Sequence, residues 1–100
     1  MELFSPLTRF YKAIAEDARI STTHISLYMA LLQQWNLSGG KARIEIERTA
    51  IMKTAKINAR YTYNKCINEL QEYGYIIYEP SVNLYSSSIV YLNGIEAHQQ

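Results

Sequence analysis

One hundred residues, 48% of them apolar, fit a single domain spanning 1–100 with one modest core and are too few for two. A formal net charge of +1 gives no bulk attraction to polyanions, and one cysteine, Cys66, excludes an internal disulfide. No apolar run approaches the ~20 residues of a membrane span, and "MELFSPLTRF" lacks a basic start leading into an apolar stretch, so no membrane contact, signal peptide or anchor is expected and a cytoplasmic location is.

Ser5 then Pro6 reads as an N-cap followed by the first helical position. Leu7, Phe10, Tyr11, Ile14 and Ala18 recur at helical steps, which predicts an amphipathic helix over 5–18. Ser21 or Thr22 caps a second helix, with Ile25, Tyr28, Met29, Leu32 and Trp35 inward up to Asn36. Leu27 and Leu31 widen that stripe beyond one face. Two readings follow: deep burial, or a surface shared with a second copy that would make the chain a homodimer. "LSGGK" breaks the helices, since adjacent glycines reach backbone angles closed to other residues. "ARIEI" then alternates polar and apolar as a short half-buried strand.

From Glu47 a short helix carries Ala50, Ile51, Met52 and Ala55, and "TAKIN" turns into the next. That helix opens with Asn58 as N-cap, buries Tyr63, Cys66, Ile67 and Leu70, and stops at Gly74. At ~100° per residue, Tyr61, Lys65 and Asn68 gather opposite the buried stripe, flanked by Asn58 and Asn64. "YIIYE", a polar loop opened by Pro80, and "SIVYL" make an antiparallel hairpin. "NGIEAHQQ", with little apolar content, is expected to fray over 93–100.

Charge is segregated along the chain. Residues 41–65 hold seven basic side chains against Glu45 and Glu47, a local charge of +5, whereas no Lys or Arg follows residue 65. Such asymmetry suits one surface that meets phosphates and another that does not.

In order these elements are helix, helix, strand, helix, turn, helix, strand, loop, strand. "RIST" before "SLYMALL", then "IERTAIMKTAKINARYTYNKCINELQEYGYI", resembles the winged helix-turn-helix family over about residues 20–92. "TYNKCINEL" with "YEPSVNLYSSSIVYL" is similar, more narrowly, to small stand-alone regulators and excision accessory proteins (excisionases) of bacterial mobile elements. The resemblance implies an α+β, mainly α fold: a helical core with a short strand and a two-stranded wing, here preceded by an amphipathic helix. It further implies sequence-specific binding of double-stranded DNA, for transcription regulation or for excision and DNA recombination. The chain departs from the family in two places: Glu47 stands where Ser or Thr often starts the helix before the turn, and the wing carries no Lys or Arg.

On that reading Asn58, Ala59, Arg60, Tyr61, Asn64, Lys65 and Asn68 face the bases, because Arg matches guanine and Asn matches adenine by paired hydrogen bonds at the major-groove edge. Lys41, Arg43, Arg48, Lys53 and Lys56 would neutralise phosphates. Asn83, Tyr85, Ser86 and Ser87 are what the uncharged wing offers. A homodimer would read paired half-sites. Each assignment competes with a plain one: the charged side chains solvate a helix face, and Tyr63, Tyr73, Tyr75 and Tyr78 are core and hinge aromatics rather than a base-stacking platform.

No catalytic constellation is visible. There is no close carboxylate pair, no nucleophile beside a histidine and no phosphate-cradling glycine loop, so no enzyme, cofactor or small-molecule ligand is expected. His24 and His98 are far apart, which gives no metal spacing, and Cys66 reads as a small core residue. The second function class is a protein-interaction module of the same fold, which the uncharged wing and the broad second helix would suit.

Overall fold

The periodic stretches become four helices and three strands among the residues that the computed structural model describes, 4–82 and 87–93. They are α1 (Phe4–Ile14), α2 (Thr22–Leu37), β1 (Ile44–Ile46), α3 (Arg48–Ala55), α4 (Arg60–Glu72), β2 (Ile76–Glu79) and β3 (Ser88–Leu92). The result is a small, mainly helical α+β fold with one antiparallel sheet ordered β1-β3-β2.

α2 is the central element. Leu27 and Leu31 are both 0% exposed, and Tyr28, Leu32 and Trp35 are buried beside them, so the wide apolar girth is filled by the chain's own α3, α4 and β1. That removes the ground on which a second copy was expected at those two leucines. The helix starts with Ser21, whose Oγ accepts the His24 N–H while the Ser21 N–H donates to His24 Nδ1 at 2.9 Å, a reciprocal box that satisfies two otherwise orphaned donors. It ends at Gly39 and Gly40, with φ of 84° and 77°, whose N–H groups return to Asn36 and Trp35.

β1 does more than the isolated short strand read from "ARIEI". It pairs antiparallel with β3, Ile44 opposite Val90, while β2 pairs on the other side, Ile76 opposite Leu92 and Tyr78 opposite Val90. The hairpin thus becomes a three-stranded sheet with β3 in the middle. Ile44, Ile46, Ile76, Val90 and Leu92 point one way, into the core with Ile51, Tyr63, Ile67 and Leu70.

α1 differs from its expected span. Phe4 is already helical, so Ser5 lies inside the first turn instead of capping it, and the helix stops at Ile14 rather than Ala18. The Asp17 N–H returns to the Ile14 carbonyl at 3.0 Å and the Asp17 carboxylate takes the Arg19 N–H at 3.1 Å, a local turn that competes with further helix. Phe10 stacks on Tyr28 with ring centroids 3.8 Å apart, and Asp17 accepts from the Tyr75 hydroxyl at 2.6 Å, so α1 is fastened along its second half and through the turn that follows it.

Candidate nucleic-acid interface

α3 and α4 are joined by a four-residue turn, Lys56 to Ala59. Lys56 takes the left-handed conformation, φ 63°, and the Ile57 N–H closes back onto the Met52 carbonyl at 2.9 Å. Ile57 then turns inward and is buried, while the hydroxyl of Ser26 on α2 donates to the Ala55 carbonyl. These contacts fix the angle at which the chain re-enters a helix.

The N-cap of α4 is Ala59, not Asn58, and it has no side-chain hydrogen bond to the first turn. Asn58 sits one residue too early, inside the turn, to reach the open N–H groups. The α4 N-terminus is therefore left with unsatisfied donors and the positive end of the helix dipole facing out. By contrast Glu47, which stands where Ser or Thr often starts such a helix, caps α3 with both oxygens, accepting from Thr49 N–H at 3.1 Å and Ala50 N–H at 3.0 Å. Those two N–H groups hold the Glu47 carboxyl below its ordinary range.

The two sides of α4 separate cleanly. Tyr63, Cys66, Ile67 and Leu70 are buried, whereas Asn58, Ala59, Arg60, Tyr61, Asn64, Lys65 and Asn68 are all exposed. Tyr61 is 75% exposed, which places its ring outward and not packed against the hairpin. Two of the seven already have partners on their own helix: Asn68 Nδ2 donates to the Asn64 carbonyl at 2.8 Å, and Lys65 Nζ lies 3.3 Å from a Glu69 oxygen. Glu69 raises the Lys65 pKa, and an exposed pair of this kind, lysine preceding glutamate by four residues, is weakly held.

All five phosphate candidates are exposed, but they fall into two groups. Lys41 and Arg43 line a polar depression together with Glu45, Glu47 and Ser87, and Arg43 is paired with Glu45 at 3.0 Å. Arg48, Lys53 and Lys56 on α3 and its turn, like Arg60 on α4, have no carboxylate within salt-bridge distance among the described residues. Four cations with no ion-pair partner thus sit together on the α3-turn-α4 unit; among the described residues Lys41, and Lys12 on α1, are unpaired as well. Of the wing candidates, Asn83, Tyr85 and Ser86 lie outside the described residues, and Ser87 is exposed at the foot of β3.

One arrangement escaped the sequence. His24, for which the sequence shows no base or metal partner, is buried and its Nε2 lies 2.8 Å from a carboxylate oxygen of Glu69, 45 positions along the chain. Cys66 is on the same side of α4, and the donor atoms of His24, Cys66 and Glu69 all lie within 4.8 Å of one another. The only sequence signal was Cys66 and Glu69 three apart on one helical face, and nothing local pointed from them to α2. Bonding to His24 holds the Glu69 carboxyl below its usual range, and burial pushes the Cys66 thiol up.

Compared with models of protein families, with curated proteins and with solved structures, the chain matches none. Among the described residues no helix is long and apolar enough to cross a membrane.

Proposed function

We propose that the chain is a winged helix-turn-helix protein that binds double-stranded DNA, with α4 laid into the major groove and Arg48, Lys53 and Lys56 against the phosphates. It would act as a transcriptional regulator or an excision and recombination accessory factor; both roles use the same binding surface. The order α2, α3, turn, α4, then the β2–β3 hairpin supports this reading of the fold. The observation that carries it is the two-sidedness of α4: one flank is sealed in the core, and the other shows Arg60, Tyr61, Asn64 and Lys65 to solvent beside an uncapped helix start.

A helix of ~10–12 Å diameter fits the ~12 Å major groove. Its uncapped N–H groups and dipole favour a phosphate oxygen at the groove edge. Arg60 then has the paired donors that guanine accepts, and the exposed amide of Asn64 can both donate to and accept from adenine. Lys65 is free to leave Glu69 for the nucleic acid, since the pair it gives up is exposed and weak.

Titration with duplex DNA at low ionic strength tests the proposal. Arg60→Ala and Lys65→Ala should each lose at least about tenfold in affinity with unchanged circular dichroism. With about five phosphates engaged, log affinity against log salt should fall with a slope of roughly −4 to −5. Exposed Ile77 and Val82 on the hairpin favour the second reading, a protein-docking module. Duplex affinity that ignores both substitutions would turn the assignment to it.

A further inference from the structure

His24, Cys66 and Glu69 take no part in the proposed contact with DNA, yet they offer a nitrogen, a sulfur and an oxygen converging on one point between α2 and α4. His24 and Cys66 are buried, and the Glu69 side chain, 22% exposed, opens the cluster to solvent on one side. We propose that this cluster is a binding site for a divalent transition-metal cation of borderline softness, zinc or its cobalt surrogate, held by His24 Nε2, the Cys66 thiolate and one Glu69 oxygen, with water in the fourth position.

The donor set selects the ion. Imidazole and thiolate suit zinc, whereas magnesium and calcium require six or more oxygens and would find one carboxylate here. Metal–ligand bonds of ~2.0 Å to N and O and ~2.3 Å to S put neighbouring donors of a tetrahedron roughly 3.3–3.5 Å apart. The 2.8 Å contact between His24 and Glu69 would open slightly, and with all three donor atoms already within 4.8 Å of one another the adjustment is one of side chains.

Metal binding would change the tautomer of His24 at the cost of one hydrogen bond in the box that caps α2. Its Nδ1 accepts the Ser21 N–H and also lies 2.9 Å from Ser21 Oγ, a hydroxyl able to donate or accept. Without the ion the ring proton is on Nε2, directed at Glu69. With the ion, Nε2 gives up that proton and coordinates, while Nδ1 takes one and donates it to Ser21 Oγ, the outer hydrogen bond that metal-bound histidines commonly make; the Ser21 N–H then loses its acceptor, so the reciprocal box at the start of α2 gives up one of its two bonds. The ring stays neutral, and the Cys66 thiol releases its proton to solvent as the metal–sulfur bond forms. One cation enters and one proton leaves.

One consequence rests on the DNA reading. Lys65 is held by the same carboxylate, 3.3 Å away, so an ion on Glu69 would release Lys65 to the outward flank of α4 and strengthen duplex binding.

Cobalt(II) titration of the reduced full-length chain, without DNA, is the direct test. It should produce a near-ultraviolet thiolate-to-cobalt charge-transfer band that zinc abolishes and magnesium does not. Zinc affinity, measured by competition with a chelating dye, should fall at least about tenfold in Cys66→Ala and in Glu69→Gln and stay unchanged in His98→Ala. Cys66→Ser, closer in volume, guards against a folding defect. No charge-transfer band in the unaltered protein, or Cys66→Ala binding zinc as tightly as the parent, would overturn the site. A band without duplex binding would uphold the site and remove only the DNA reading.

Discussion

Lys56 holds a left-handed backbone, φ 63°, that a β-carbon disfavours, at a point where the chain must reverse between α3 and α4. Glycine would suit the geometry better, and the lysine side chain is exposed. Stability and binding therefore pull in opposite directions here. Lys56→Gly should raise the unfolding free energy by about 1 kcal/mol in a thermal or urea melt, while lowering duplex affinity and flattening the salt slope by about one unit. A melt that fails to improve would mean that the left-handed conformation is not maintained, and an unchanged slope would take Lys56 off the phosphate surface. Gly74 is the converse case: at φ 91° it ends α4, with the Tyr75 N–H bonded to the Leu70 carbonyl at 2.8 Å and the Gly74 N–H to that of Gln71 at 3.0 Å. A β-carbon there meets nothing within 4 Å, so Gly74→Ala should cost about 1 kcal/mol from backbone conformation alone. Equilibrium denaturation measures it.

At the level of elements, what could be read from the sequence was what is local. The 3.6-residue repeats of α2 and α4, the alternation in β1 and the stop at Gly74 depend on near neighbours, and each is found where it was expected. The pairing of β1 with β3 joins residues 44 and 90, and no local pattern announces such a partner. Caps failed at single-residue resolution for the same reason. Asn58 is a good capping residue by type, but the turn closed by Ile57 on Met52 sets α4 to begin after Ala59, one position late for it. Glu47, a weaker type, caps α3 because its two oxygens reach two N–H groups at once. The exposure of Tyr61, Asn64, Lys65 and Asn68 followed from helical geometry, whereas Ala59 and Arg60 came only with the family resemblance; the His24–Glu69 contact required two helices to be packed first.

Over the whole molecule, the buried Tyr28 and Tyr63 and the half-buried Tyr75 set the alkaline limit of the fold. Burial pushes the hydroxyl pKa of Tyr28 up to about 12, raises that of Tyr75 to about 12 with help from Asp17, and lifts that of Tyr63 further. Folded values above the unfolded one mean stability that is fully present below the ordinary value of 10.0 and lost as pH rises towards about 12. Spectrophotometric titration should accordingly show several tyrosines ionising together with loss of helical signal in that window, and early independent ionisation of all nine would contradict it. On the acid side Asp17, held low first by Arg19 and then by Tyr75, and Glu69, held low by His24, contribute stability that is present above the unfolded carboxylate pKa and lost as pH falls through their depressed values. If the outward flank of α4 meets DNA, amide chemical shifts of the isotope-labelled chain will report it residue by residue during titration with a duplex. The largest shifts should fall at residues 53–68 on the turn and the outward flank of α4, with α1 unmoved. Shifts confined to α1 or to the outer side of β2, or none at low salt, would contradict it.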